Sequence, residues 1–129
     1  MKDAMTISLA LAHSLKEIDS KEWDRCASGA AEGHDDPSNP FITYAFLSSL
    51  EESGSATSKT GWNSAHLLMR DNDKTLIGVV PAYLKTHSRG EYVFDHSWAE
   101  AYHRVGGQYY PKMQISIPFT PVTGPRLLI

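Results

Sequence analysis

The chain has 129 residues, a length that fits one domain. Its 41% apolar and 21% charged residues are too apolar for disorder, and with a net charge of −3 and scattered Lys and Arg no basic stripe argues for nucleic acid. The single cysteine, Cys26, rules out an internal disulfide and points to a reducing compartment, the cytoplasm.

The run MTISLALA, residues 5–12, ends faintly like a signal-peptide cleavage site, but Asp3 cancels Lys2 and the run is short for the apolar core of a leader. A first strand within 6–18 is expected instead. No stretch approaches the ~18 apolar residues of a membrane span. Asp19 then stands where an N-cap belongs, with Glu22 at the return position of a capping box. Trp23, Cys26, Ala27 and Ala30 share one helical face, so the thiol is expected as inert packing.

EGHDDPSNP is a polar linker. Its Asn39-Pro40 reads as an N-cap followed by proline at the first helical position, opening a helix through FITYAFLSSLEES that stops at Gly54. Phe46 and Leu50 form its contact line, with Phe41 and Leu47 in support. GSATSKTG is loop. WNSAHLLMR alternates, with Ala65, Leu67 and Met69 on the inner side and Ser64, His66 and Arg70 on the outer. DNDK turns the chain, and TLIGVVPAYLK returns as a strand apolar on both faces, a central strand that Gly78 and Pro81 would bulge or bend.

SWAEAYHRVGG predicts a short helix capped by Ser97 and Glu100, with Trp98, Tyr102 and Val105 on one face and Gly106 at its end. KMQISIPFT alternates Met113, Ile115, Ile117 and Phe119 against Gln114, Ser116, Pro118 and Thr120, the clearest strand pattern in the chain. TGPRLLI follows as an apolar tail, which suggests a fragment or a partner over the last edge.

NPFITYAFLSSLEESGSA, GWNSAHLLMRD, IGVVPAYLKTHSRGEYVFDHSWAEAY and YYPKMQISIPFTPVTGPRLL carry a family resemblance. From about Leu15 onward the chain is similar to the N-terminal part of predicted bacterial N-acyltransferases with a GNAT-like fold, related to the Fem-type transferases that build peptidoglycan cross-bridges. The resemblance implies an α/β (α+β) class, with a mixed, mostly antiparallel sheet flanked by helices and incomplete at its C-terminus. It also implies a parent about three times this length, beyond the size of one domain. The remainder of that chain is then expected to complete the sheet. The implied reaction is acyl transfer from an activated thioester or ester to an amine, on a small molecule or a peptide. Acyl-coenzyme A is then a co-substrate, and an aminoacyl-tRNA donor stays open. In this fold a strand splays from its neighbour. IPFTPVTGP fits that role because Pro118 and Pro121 lack N–H donors.

The glycine-rich pyrophosphate turn of coenzyme A enzymes is absent from these residues. RVGGQY, its nearest look-alike, has Tyr109 where a small residue is required. The fragment alone is therefore expected to be inactive.

HSRGEYVFDHSW, residues 87–98, concentrates the polar chemistry. As an acceptor site, Glu91, Asp95 and His96 are candidate bases for the attacking amine, and Tyr110 a donor to the leaving group. His87, Tyr109, Lys112, Phe119 and Thr120 would bind substrate. As a metal site, His87, His96 and His103 with Asp95 match no zinc spacing. His96 and His103 on one helix would stand about 10 Å apart, so no metal is expected. As a structural plug, Asp95 or Ser97 caps the helix, the histidines bond carbonyls, and Tyr92, Phe94 and Trp98 fill space. Acceptor site and plug are compatible, and both stay open. The rival outside catalysis is a binding module for an amino-sugar or peptide. His13 and His34 are expected to face solvent, and His66 to lie on a strand surface.

Overall fold

A computed structural model describes residues 6–28, 39–91, 95–122 and 124–129. Ala30, His34, Tyr92 and Phe94 lie outside the described residues. The class is mixed α and β, with two three-stranded antiparallel sheets and three α-helices among the described residues. Among the described residues no helix is long and apolar enough to cross a membrane.

The first sheet has the order β1 (Ser8–Ala12), β3 (His66–Arg70), β4 (Leu76–Val80). Ser8 stands opposite Arg70 and Ala12 opposite His66. The first strand expected within 6–18 is thus the five-residue Ser8–Ala12, followed by a 3-10 turn at Leu15–Glu17. The second sheet has the order β2 (Trp62–Ser64), β5 (Tyr83–Lys85), β6 (Lys112–Gln114).

The predicted hairpin is therefore one hairpin that passes through both sheets. Proline at 81 has no N–H to continue a ladder, so the return strand breaks there. At the bend, Ala65 N–H donates to Ala82 O at 2.9 Å, and Ala82 N–H donates to His66 Nδ1 at 3.1 Å. That bond puts the ring proton of a neutral His66 on Nε2, which lies 3.4 Å from Glu51 Oε1. His66 is consequently fully buried between the rings of Trp23 and Tyr83, not on a strand surface. The inner residues of this arm are Ala65, His66 and Leu68; Leu67 and Met69 are half-buried.

Helix α1 (Ser20–Ala27) starts where Asp19 accepts from Lys21 N–H and Glu22 N–H. Asn39 does cap a helical start, but Pro40–Ile42 is a 3-10 turn, and Thr43 opens α2 (Tyr44–Glu52) by accepting from Phe46 N–H. Both helices join the first sheet around Trp23, Leu47, Leu68, Leu76 and Val79. Fully burying a side chain such as Leu47 stabilises by roughly 1.5–3 kcal/mol. Trp23 satisfies its indole N–H on Ile42 O at 2.9 Å. Cys26 lies in the same core, and burial pushes its thiol pKa up.

Helix α3 (His96–Arg104) departs from expectation. Only Ala99 is buried, while Trp98, Tyr102 and Val105 are 73%, 51% and 82% exposed. The three do share a face, but that face meets solvent. Asp95 holds the N-cap position without a side-chain capping bond, because its carboxylate is drawn to Lys112. Ser97 is not the cap.

The clean alternation after Lys112 also fails as a long strand. β6 ends at Gln114, and Met113, Ile115 and Phe119 are exposed while Ile117 is buried. Pro118 cannot donate to a ladder, and Phe119 turns the chain with φ +63°. The segment beyond returns to the first sheet, where Val79 and Leu128 exchange backbone bonds of 2.8 and 2.9 Å.

Candidate functional site

β5 and β6 pair with Lys85 directly opposite Lys112. Two like charges at such a position repel. Glu91 resolves the repulsion by reaching between them, with Oε1 2.7 Å from Lys112 Nζ and Oε2 3.8 Å from Lys85 Nζ.

The loop between the strands is built to hold Glu91 there. Lys85 Nζ donates to Arg89 O at 2.8 Å and lies 3.7 Å from the Trp62 ring centre. Gly90 has φ +82°, and its carbonyl accepts Phe119 N–H at 2.9 Å, so the polar loop is tied to the segment after β6. Phe119 then packs on Trp62 at 5.4 Å.

Lys112 has three N–H donors and uses all three: Glu91 Oε1 at 2.7 Å, Asp95 Oδ2 at 2.6 Å and Ser88 Oγ at 3.0 Å. Tyr109 OH donates to the same Asp95 oxygen at 2.6 Å, and Ser88 shares a hydrogen bond with Tyr110 OH. Burial would raise the Asp95 carboxyl, but bonds from Lys112, Ser88 and Tyr109 outweigh it and hold its pKa well below the usual carboxylate range. Burial likewise opposes the charge on Lys112, and the two carboxylates more than reverse that, so its pKa is raised. Tyr109 is raised too, first by its bond to Asp95, and stays a neutral phenol. Lys85 has burial as its dominant influence, with Glu91 only partly offsetting it, and its pKa falls to about 8.

Two acceptors remain. Among the described residues, Glu91 Oε2 and Asp95 Oδ1 are buried and receive no hydrogen bond, although Lys85 Nζ faces Glu91 Oε2 at 3.8 Å. Buried oxygens of this kind are rare, and each calls for a donor.

Residues 14–129 match the FemAB-like family, described as peptidoglycan biosynthesis/recognition. The chain belongs to that family. Membership directs it to peptidoglycan-related function. Neither a curated protein nor a solved structure matches it.

In this FemAB-like chain the expected site residues divide. Glu91, Asp95, Tyr109, Tyr110 and Lys112 meet in one cluster. His87 sits beside it, packed on Gly61, with Nδ1 accepting Arg89 N–H; burial first, then Lys85 and Arg89, lower its pKa. His96 is exposed in the first turn of α3 and joins no bond of the cluster. Thr120 is half-buried and outside it, while Phe119 contributes through Trp62 and Gly90. Among the described residues no group of three or more His, Cys, Asp or Glu could hold a metal ion.

Sequence reasoning missed Ser88, Lys85 and Trp62. Ser88 had no signal beyond lying in the polar stretch. Lys85 did have one: Tyr83 and Lys85 alternate with Leu84, and it is Leu84 that is exposed.

Proposed function

We propose that this FemAB-like chain forms the acceptor side of a GNAT-like N-acyltransferase acting on an amine of a peptidoglycan precursor. The observation carrying the reading is the pair of buried, donor-less oxygens, Glu91 Oε2 and Asp95 Oδ1. An alkylammonium brings three N–H donors, which suits two such acceptors. Asp95, with its depressed pKa, holds the ammonium as a charge, and Glu91 takes one of its protons. The freed nitrogen lone pair attacks the acyl carbonyl carbon. A C–N bond forms and the C–S or C–O bond of the donor breaks; the leaving atom takes the proton that Glu91 gathered, and the second proton lost by the nitrogen passes to Glu91 and on to solvent. In this reading Tyr110 OH, which is hydrogen-bonded to Ser88, relays the proton bound for the leaving atom. Lys112 and Asp95, whose side chains are 14% and 13% exposed, are more open to solvent than Glu91 at 2%.

One observation favours a non-catalytic role for the cluster instead. Lys112 already satisfies its three donors within the cluster, as a self-contained structural plug would.

An assay of the protein with an amine-bearing peptidoglycan fragment separates the two readings. Acyl-coenzyme A and aminoacyl-tRNA are supplied in parallel as donors, and product is read as a mass gain on the acceptor. Transfer with either donor, reduced about 10²-fold or more in Glu91→Gln under conditions where that variant is folded, supports the enzyme. Acceptor binding with no mass gain from either donor establishes the module.

A further inference from the structure

The two edges of the second sheet are β2 and β6. Lys112 lies on β6. Against β2, on the other edge, opens a cleft of about 330 Å3 lined by His13, Ser14, Glu51, Ser58, Asn63 and Ser64 among others. Its size falls within the range of small-molecule sites.

Glu51 is the one carboxylate in the lining. It accepts from Leu15 N–H at 2.9 Å, Ser64 Oγ at 2.6 Å, Ser14 Oγ at 3.3 Å and His66 Nε2 at 3.4 Å. Burial would raise its pKa, but the bonds from His66, Ser64 and Leu15 prevail and lower it, so the group is ionised at neutral pH. No lysine or arginine is bonded to it among the described residues, and its only ion-pair contact is His66. Apart from His66, this largely buried anion is held by neutral dipoles, and no described lysine or arginine answers its charge at the cleft. Its side chain keeps 12% exposure, so the charge can be reached. Oε2 accepts from Leu15 N–H and Ser14 Oγ, and the Ser14 bond is the longer of the two. The walls are hydroxyl and amide in character. Asn63 commits its amide N–H to Leu84 O, which leaves its side-chain carbonyl for a ligand, and Ser58 stands exposed at the mouth.

We infer that this cleft binds a small hydroxylated amine of amino-sugar type, with its ammonium against Glu51 and its hydroxyls on Ser58 and Asn63. The walls are in place beforehand. Glu51 itself ties the turn after β1, the end of α2 and the first arm of the long hairpin into one frame. The site is separate from the Lys112 cluster and stands or falls independently of acyl transfer.

The test is titration of the protein with glucosamine, followed by amide NMR shifts, with glucose and N-acetylglucosamine as neutral controls. Expected are saturable shifts centred on residues 13–14, 51 and 58–64. Affinity should be about tenfold or more weaker for both neutral sugars and for Glu51→Gln, the loss of one charge-assisted hydrogen bond. Ser58→Arg adds a cation at an exposed position and should abolish binding with the fold intact, which keeps the test decisive if Glu51→Gln is poorly folded. Absence of shifts, shifts centred on Lys112, equal binding of neutral sugars, or indifference to Ser58→Arg overturns the inference. Retained cleft shifts alongside a failed transfer assay uphold it and remove only the enzymatic reading.

Discussion

Lys85 and Lys112 face each other across β5 and β6, and the carboxylate of Glu91 lies between their ammonium groups. Lys85 is fully buried and the Glu91 side chain nearly so, which leaves little water to screen either lysine. Removing one partner from such a group leaves charge buried without compensation, at a cost of about 3–5 kcal/mol. Glu91→Gln should therefore lower the urea midpoint by that order, whereas His96→Ala, at an exposed position, should stay within about 0.5 kcal/mol of the parent. A Glu91→Gln loss below about 1 kcal/mol would show that the lysines do not depend on this bridge.

Mild alkali should stabilise the protein through Lys85. Lys85 has a folded pKa of about 8, set chiefly by burial, against roughly 10.4 in an unfolded chain. Between those values the unfolded chain carries a proton that the folded one has released, so stability rises with pH. Cys26, with its raised thiol, acts the other way from about pH 8.5, and Tyr44, Tyr83 and Tyr109 do so above about pH 10, so the Lys85 contribution is read as the difference between the parent and Lys85→Met from pH 8 to about 9.5. Urea melts across that range should show the parent gaining stability relative to Lys85→Met as pH rises.

Acid should do the reverse. Asp95 and Glu51 have folded pKa values below their unfolded ones. Their contribution is complete above the unfolded carboxylate range of about 4 and is lost as protons bind the unfolded chain more readily below it. Stability should fall from about pH 5 downward and keep falling below pH 3, because Asp95 gives up its charge last. Asp95→Asn should flatten the lowest part of that limb. An unchanged acid profile in this variant would contradict the Lys112–Asp95 pairing.

Gly90 carries the loop onto the segment after β6. A Cβ there would lie 2.7 Å from a Phe119 ring carbon, on a backbone with φ +82°. Gly90→Ala should cost about 1–3 kcal/mol through strain and displacement of the Phe119 ring. A circular-dichroism melt matching the parent would mean that the loop moves freely of Phe119.

Local signals in the sequence were read well, and signals that depend on distant cover were not. Asp19 and Asn39 announced their helix starts because a cap and the N–H groups it serves are neighbours. Glu91, Asp95, Tyr109, Tyr110 and Lys112 were all singled out, but only as a polar neighbourhood. Their convergence on one ammonium depends on the register of β6 against β5, which no short window contains. The apolar spacing of Trp98, Tyr102 and Val105 identified a face and said nothing of what lies against it. Residues 113–119 kept strand alternation past the point where Pro118 and the turn at Phe119 ended the pairing. His66 looked like a surface residue because histidine on a strand usually is, and Lys85 drew no reading at all. Glu91 and Glu51, which make their burial tolerable, lie elsewhere in the chain.

The bend at Ala82 rests on an imidazole where a ladder would use a peptide carbonyl. A corner made of main chain alone is indifferent to its side chains; this one asks for an sp2 nitrogen at a fixed height above position 66. Leucine or glutamine there would remove the strut and let the two ribbons swing. The span between the lysine pair and the hydroxyl-lined cleft would change with them, so the geometry of both regions is inherited through a single ring.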